Sequence, residues 1–316
     1  MPDCHSVTDM SSTEQPQPQA QDPAESTDHA TNTPSMLVVL TAADGYKIQA
    51  TRTAPTGNPQ GHLIVAGATG VPQRFYQRFA TFCAAQGIEV WTLDYRGIGL
   101  SKPAELRGFE MNYLDWARQD LAALLTHVAT LTSGPIWMVG HSYGGHAFGL
   151  LPGHQRVSRF ATFATGAGWH GWMPPLERLR VLVMWRVLGP LIVRAKGYLA
   201  WSLLGMGEDL PKNVFLQWRH WCQWPRYFFD DPEQAHLAHE FAQVAIPIRA
   251  INAIDDKWAP PASRDAFMAA YSQAQLEAIT IQPANYGMTQ IGHMGYFRPQ
   301  AQMLWQETLD WLTQTK

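Results

Sequence analysis

Short apolar runs alternate along the chain with longer segments in which apolar residues recur at helical spacing. The runs are continuously apolar, which is typical of strands buried on both faces of a parallel sheet. They comprise residues 62–67, 88–93, 136–139, 157–165, 246–253 and 276–281. Helical spacing is found over 73–86, 114–128 and 300–313. We therefore predict an α/β fold with a mostly parallel sheet covered by helices on both faces.

The N-terminal part of the chain departs from this alternation. Residues 36–40 and 46–52 are two β-rich runs that flank the sequence "AADG", and an Asp-Gly turn between such runs predicts a β-hairpin. Residues 1–35 are instead rich in Gln, Pro, Ser and Thr, a composition that cannot bury enough apolar surface to offset the entropy of ordering. We predict a disordered tail over residues 1–35 and a folded domain over 36–316.

The alternation also stops between residues 168 and 240. This interval holds seven of the 13 tryptophans of the chain and few strand signals. We predict a mainly helical lid inserted above the C-terminal edge of the sheet, which is where ligands bind in open α/β folds. Trp218, Trp221 and Trp224 recur at three-residue spacing, and we expect them to share a helix face and to line an apolar substrate pocket.

Charge and cysteine content exclude several classes of protein. The formal net charge is −3 and no basic block occurs, so binding to nucleic acid through phosphate neutralisation is not expected. The three cysteines are far apart and form no disulfide or metal-binding pattern, which fits a cytoplasmic protein. No transmembrane segment is expected, because the most apolar stretch, residues 181–193, is short and contains Arg186 and Pro190.

A serine lies at a sharp turn between a strand and a helix. The turn is Gly140-His141-Ser142-Tyr143-Gly144, which follows an apolar β-rich run and precedes apolar residues at helical spacing. A G-x-S-x-G turn in this context projects the serine hydroxyl above the sheet. A serine hydroxyl is a weak nucleophile near neutral pH and needs a base that is oriented by an acid. We predict that Ser142 is such a nucleophile, and that His141 packs beside it without acting as a second base.

The acid and the base are expected at the ends of later strands, in the order serine, aspartate, histidine. The run 246–253 leads directly into Asp255 and Asp256. His293 lies in a glycine-flanked loop between the last strand and the last helix, and we predict that it is the base. The tetrahedral intermediate requires two backbone donors for its oxyanion. We predict the amide of Tyr143, at the helix start, and the amide of Ala68, in the glycine-rich loop "AGATGVPQ".

The chain resembles an α/β-hydrolase in the motifs "LIVAGATG", "GIEVWTLDYRGIGLS", "MVGHSYGG", "INAIDDKWAP" and "IGHMGYFRP". The resemblance implies an eight-stranded sheet and a Ser–Asp–His triad, with Asp256 as the acid and Asp255 as its neighbour. The segments "GEDLPKNVFLQWRHWCQWPRYF" and "MTQIGHMGYFRP" resemble those of a bacterial subgroup of predicted hydrolases without an agreed substrate. Ala66 stands where many relatives have histidine, and "AGATG" is also similar to a loop of acyltransferases.

These observations predict a serine hydrolase that cleaves an ester or related acyl bond of a small, apolar substrate. Ser142 attacks, His293 transfers the proton and Asp256 orients the imidazole. The mechanism requires no metal and no organic cofactor, and the expected partner is a small-molecule acyl substrate. The alternatives are an acyltransferase with the same triad and a non-catalytic binding protein on the same fold.

Overall fold

The computed structural model describes residues 34–205 and 207–314. The predicted tail lies outside the described residues over positions 1–33. Its predicted boundary at residue 35 is wrong, because Ser35 already belongs to the first strand and pairs with Thr53. The carbonyl of Pro34 also accepts a hydrogen bond from the amide of Ala54, at 3.1 Å.

An eight-stranded sheet forms the centre of the described part of the chain. The strands are β1 (Ser35–Thr41), β2 (Lys47–Thr53), β3 (Gly61–Ala66), β4 (Ile88–Asp94), β5 (Ile136–His141), β6 (Arg159–Phe163), β7 (Pro247–Ala253) and β8 (Gln275–Ile281). Their order across the sheet is β1-β2-β4-β3-β5-β6-β7-β8. β2 pairs antiparallel with β1 and β4, and the other pairs are parallel. The predicted hairpin and the mostly parallel sheet are therefore confirmed.

Helices cover both faces of the sheet. They are α1 (Gln77–Ala85), α2 (Ala122–Leu131), α3 (Tyr143–Phe148), α4 (Pro175–Val183), α5 (Gly189–Lys196), α6 (Lys212–Trp221), α7 (Leu237–Ala242), α8 (Pro261–Met268) and α9 (Gln302–Thr313). Two further helical stretches with π-type hydrogen bonding, Trp116–Leu121 and Met184–Leu188, precede α2 and α5. Between β6 and β7, the residues that the structure describes form α4 to α7 and no strand.

The central strands are apolar throughout because consecutive side chains enter two different cores. Leu63 and Val65 of β3 pack in one buried cluster, and Ile64 packs in the other. The first cluster includes the buried faces of α1 and α9, whereas the second includes α2 and the helices between β6 and β7. Burial on both faces removes the alternation of polarity that a half-exposed strand would show.

The strands end at backbone features that a hydrophobic pattern does not reveal. We predicted a strand over residues 157–165, but β6 ends at Phe163. Ala164, the next residue, has a φ of 55°, which is outside the range of extended chain. The chain therefore leaves the sheet at this point and turns towards the helices that follow.

Candidate active site

Ser142 occupies a strained turn between β5 and α3. Its backbone φ is 52° and its ψ is −107°, a combination that non-glycine residues rarely adopt. The flanking glycines allow the close contacts that this turn requires. A Cβ atom on Gly144 would lie 2.0 Å from the carbonyl oxygen of Ala66, and one on Gly140 would lie 2.6 Å from the carbonyl carbon of Gly144. The two glycines therefore let the turn press against the end of β3.

Ser142, His293 and Asp256 form a continuous hydrogen-bonded series. The distance between Ser142 Oγ and His293 Nε2 is 3.1 Å, and His293 Nδ1 lies 3.0 and 3.1 Å from the two carboxylate oxygens of Asp256. An ionised carboxylate only accepts hydrogen bonds, so Nδ1 carries the imidazole proton. Nε2 is then an acceptor for the hydroxyl proton of Ser142. This is the arrangement by which an imidazole acts as a general base towards a serine.

Asp256 is buried and held by its own loop. Its side chain is 1% exposed, and Oδ1 accepts hydrogen bonds from the amides of Trp258 and Ala259 at 2.9 and 3.0 Å. Burial raises the pKa of this carboxyl, but the positive charge that His293 carries when it is protonated, together with the hydrogen bonds, lowers the pKa by more. The pKa is therefore lower than that of an ordinary aspartate. The carboxylate remains ionised at neutral pH.

The neighbouring aspartate positions the histidine loop and does not contact the imidazole ring. Asp255 Oδ2 accepts hydrogen bonds from the amides of Ile291 and Gly292, at 2.9 and 3.1 Å. These amides directly precede His293 along the chain. Asp255 thus holds this loop by its backbone amides, and Asp256 holds it by the side chain of His293.

His141 fixes the carbonyl of His293. His141 Nε2 donates to this carbonyl oxygen at 2.9 Å, so the Nδ1 atom of His141 accepts a hydrogen bond from the hydroxyl of Tyr76, also at 2.9 Å. Burial, and the positive charge that His293 carries when it is protonated, lower the pKa of His141 to about 3. His141 is therefore neutral, and its position agrees with the packing role predicted for it.

The amide of Ala68 is not a free hydrogen-bond donor. It donates to the hydroxyl oxygen of Tyr76 at 2.8 Å, and the expectation that it supplies an oxyanion contact is not met in this structure. The reason is that Tyr76 is fully buried behind the loop and accepts this hydrogen bond while donating to His141. Tyr143, the other predicted donor, is the first residue of α3. The first amides of a helix have no acceptor inside the helix.

A cavity of about 530 Å³ opens beside Ser142 and His293. Its size is in the range of small-molecule sites. Four aromatic side chains contribute to its wall, namely Phe75, Trp201, Trp218 and Trp258. The ring of Trp218 lies 5.4 Å from that of Trp201 and 6.1 Å from that of Trp258. The three indoles thus form one continuous aromatic surface.

Of the three predicted pocket tryptophans, only Trp218 lines this cavity. Trp221 is 3% exposed, stacks on Tyr113 and donates to Asp231 Oδ2 at 3.1 Å. Trp224 lies beyond the end of α6 at Trp221, so the three residues do not share a helix face. Neither Trp221 nor Trp224 lines the cavity as predicted: Trp221 is on α6 but packs on Tyr113 and Asp231, and Trp224 lies after the helix has ended.

Three aromatic residues of the cavity wall were missed by the sequence interpretation. Trp258 follows Asp256 by two residues, and Phe75 follows the glycine-rich loop after β3. Both lie just beyond the C-terminal end of a parallel strand, the position where ligand-binding residues gather in such sheets. Trp201 lies in a short 3₁₀ helix, and its sequence context contains no comparable signal.

The comparisons with known proteins agree with this fold. A sequence model described as "Alpha/beta hydrolase family" matches residues 63–303. No curated protein sequence matches the chain. A soluble variant of monoglyceride lipase from Saccharomyces cerevisiae is similar in structure, with a TM-score of 0.65 at 16% identity over 92% of this chain and 98% of that one.

Two esterases are also similar in structure. Est1E from Butyrivibrio proteoclasticus, solved with ferulic acid, has a TM-score of 0.56 at 16% identity, over 88% of this chain and 100% of its own. The esterase domain of a Rhodothermus marinus protein has a TM-score of 0.55 at 14% identity, over 88% of this chain and 97% of its own. At these identities the structural similarity establishes the fold alone. The family model spans most of the chain, and the protein therefore belongs to the α/β-hydrolase family.

Proposed function

We propose that this protein is a serine hydrolase that cleaves a carboxylic ester or related acyl bond of a small, apolar substrate. The observation that carries the proposal is the hydrogen-bonded series from Ser142 Oγ through His293 to the buried Asp256, at 3.1 and 3.0 Å. This series opens onto a largely apolar cavity of about 530 Å³ whose wall includes four aromatic side chains. Its geometry suits proton transfer from a nucleophile to a base that is oriented by an acid.

In the proposed reaction, Ser142 Oγ attacks the acyl carbon while His293 Nε2 accepts the hydroxyl proton. Asp256 stabilises the imidazolium that forms. When the tetrahedral intermediate collapses, the imidazolium returns the proton to the leaving alcohol, and the acyl group stays on Ser142. A water molecule then attacks the acyl-enzyme while His293 Nε2 accepts its proton. When the second tetrahedral intermediate collapses, the imidazolium returns that proton to Ser142 Oγ, the bond between the acyl carbon and Oγ breaks, and the acid product leaves.

The oxyanion would be bound at the start of α3 and by the loop after β3. The Tyr143 amide is the first of α3 and has no acceptor inside the helix, and a helix N-terminus favours negative charge. Thr69 lies in the loop that lines the same cavity, and its amide has no hydrogen-bond acceptor among the residues that the structure describes. We assign the second donor to Thr69 in place of Ala68.

The test is labelling with a fluorophosphonate together with turnover of p-nitrophenyl acyl esters. Ser142→Ala should abolish labelling and lower kcat by about 10⁴-fold to 10⁶-fold, because the members of a triad act as a unit. Ser202→Ala, at an exposed position, is the matched control and should label and turn over like the wild type. Equal labelling of Ser142→Ala and wild type would refute the proposal. Labelling without turnover of any ester would favour a binding protein.

A further inference from the structure

The helices between β6 and β7 present an apolar stripe to solvent. α4, the π-type stretch Met184–Leu188 and α5 follow one another without a break, so that residues 175–196 form one helix. Six of its large apolar side chains are 41–62% exposed, namely Leu176, Leu179, Val183, Val187, Leu188 and Leu191. A surface helix normally places its polar residues on this side.

The exposed stripe lies opposite the face that packs on the protein. Residues 179, 183, 187 and 191 recur every four positions, and the buried residues 181, 185, 189 and 193 are displaced from them by two positions. Two positions correspond to about half a turn of helix. The buried side chain of Trp185 contacts Trp218, which lines the cavity beside Ser142. The inner face of the helix thus packs, through Trp185, against a residue of the cavity wall, and the helix is apolar on both its inner and its outer face.

Positive charges flank the exposed stripe. Residues 175–196 contain five cationic side chains and one acidic side chain, whereas the whole chain has a formal net charge of −3. Arg186, Arg194 and Lys196 are exposed and form no salt bridge with another residue of the described chain. Exposed apolar residues bordered by lysine and arginine are the pattern of a helix that lies in the surface of an anionic membrane.

We propose that the outer face of residues 175–196 binds the surface of an anionic lipid bilayer, while its inner face stays packed, through Trp185, on Trp218 of the cavity wall. A helix of this length would lie along the surface for roughly 33 Å. No helix of the described residues is long and apolar enough to cross a membrane, and the proposed contact is confined to one leaflet. The leucine and valine side chains would enter the headgroup region, while the arginines contact the lipid phosphates.

Charge favours a lipid surface over a second copy of this chain. A symmetric dimer brings the same patch of both subunits together, so the patch must be complementary to itself. Here the cationic side chains of two copies would meet around the apolar stripe, and Glu177 is the single acidic side chain within residues 175–196. Glu177 already accepts a hydrogen bond from Trp258 Nε1 at 3.1 Å. An anionic surface complements both the charge and the apolar stripe.

The test is sedimentation of the full chain with lipid vesicles, which requires no turnover and is independent of the proposed hydrolase activity. Vesicles of phosphatidylcholine with about 30% phosphatidylglycerol should bind the protein, whereas phosphatidylcholine alone should bind it much less. Binding to the anionic vesicles should weaken as NaCl rises, because salt screens exposed charges. Protein that stays in the supernatant with anionic vesicles at low salt would overturn the proposal.

Two variants separate the apolar and the charged contributions. Arg186→Gln/Arg194→Gln should weaken partition by about 30-fold, since each cationic side chain near an anionic surface contributes roughly fivefold. Leu179→Gln/Val187→Gln/Leu191→Gln should weaken it by about tenfold or more. Both variants should keep the wild-type Tm, because every altered side chain is exposed.

The matched control is Leu37→Gln/Leu131→Gln/Met303→Gln, which removes three apolar side chains of 47–58% exposure elsewhere on the surface. This control should bind vesicles like the wild type. Equal loss of binding in the control and in the stripe variant would overturn the proposal. Light scattering after size-exclusion chromatography tests whether a second copy of the chain covers this face instead of a lipid surface. A dimer that dissociates in the stripe variant, without vesicle binding by the wild type, would assign the face to a second copy of the chain.

Discussion

Two neighbouring aspartates allow a matched test of the proposed triad. In Asp256→Asn, the side-chain oxygen should stay at the position of Oδ1, because that atom accepts hydrogen bonds from two backbone amides. The new NH₂ group then takes the position of Oδ2, which lies 3.0 Å from His293 Nδ1. There it donates to Nδ1 and forces the imidazole proton onto Nε2. His293 can no longer accept the proton of Ser142.

The expected loss in kcat for Asp256→Asn is about 10⁴-fold, the size found when a triad histidine is held in the wrong tautomer. This corresponds to about 5.5 kcal/mol in the activation barrier. The loop hydrogen bonds survive the substitution, so the variant should remain folded. The loss should therefore appear in turnover with little change in Tm.

Asp255→Asn is the same chemical change one residue away. Its oxygen can still accept from the amides of Ile291 and Gly292, and its NH₂ group would replace Oδ1, a buried atom with no partner among the described residues. The hydrogen bonds lose their charge and weaken by about 1 kcal/mol. We expect kcat within about tenfold of the wild type, since 1.4 kcal/mol corresponds to a factor of ten.

The assay is kcat and kcat/KM for a short p-nitrophenyl ester, measured with the Tm of both variants. A larger loss for Asp255→Asn than for Asp256→Asn would show that the acid is misassigned. Equal and small losses would show that proton transfer at His293 does not limit turnover, and the proposed mechanism would be wrong.

Three further predictions concern the cavity, the buried network and pH. In the wild type, kcat/KM should rise about fourfold for each methylene added to an acetyl ester, until the cavity is full. Trp218→Ala should flatten this chain-length profile, whereas Trp221→Phe should lower stability but keep the profile. An unchanged profile in Trp218→Ala would refute the pocket role of Trp218. Tyr76→Phe leaves two buried hydrogen-bonding groups without a partner and should lower the free energy of unfolding by about 2–4 kcal/mol in urea titrations; a loss below about 0.5 kcal/mol would contradict that network. Burial lowers the pKa of His141 to about 3 and that of His146 to about 4, so below the ordinary histidine value the unfolded chain binds protons that the folded chain does not. These two histidines should therefore lower the free energy of unfolding by about 2 kcal/mol per unit as pH falls from 6 to 4.5, and His146→Gln should make the measured slope shallower by about 1 kcal/mol per unit; an unchanged slope would show that the ring of His146 is protonated in the folded state.

The sheet could be predicted from the sequence because its central strands are buried on both faces. Leu63, Ile64 and Val65 are apolar in succession since they enter two cores, and that pattern differs from the spacing of the covering helices. The strand ends were less accurate. The end of β6 depends on the positive φ of Ala164, and alanine gives no sign in the sequence that it adopts one.

The spacing of the tryptophans does not predict which of them lines the cavity. Trp218 and Trp221 are both on α6, and their spacing gives no basis for choosing which side faces the cavity. The choice depends on tertiary packing, because Trp221 stacks on Tyr113 and bonds to Asp231, two residues from other parts of the chain. Trp218 is left to contact Trp201 and Trp258 in the cavity wall.

The amide of Ala68 could not be assigned from the sequence for a related reason. Its hydrogen-bond partner is the side chain of Tyr76, and that hydroxyl is itself oriented by His141. The network ends on the carbonyl of His293, so the loop after β3 and the loop of the proposed base are linked by buried hydrogen bonds. Burial raises the pKa of Tyr76 and lowers that of His141, which keeps both groups neutral. Neither group is suited to exchange protons during a reaction near neutral pH, and we infer that the network acts by holding the two loops in register on either side of Ser142.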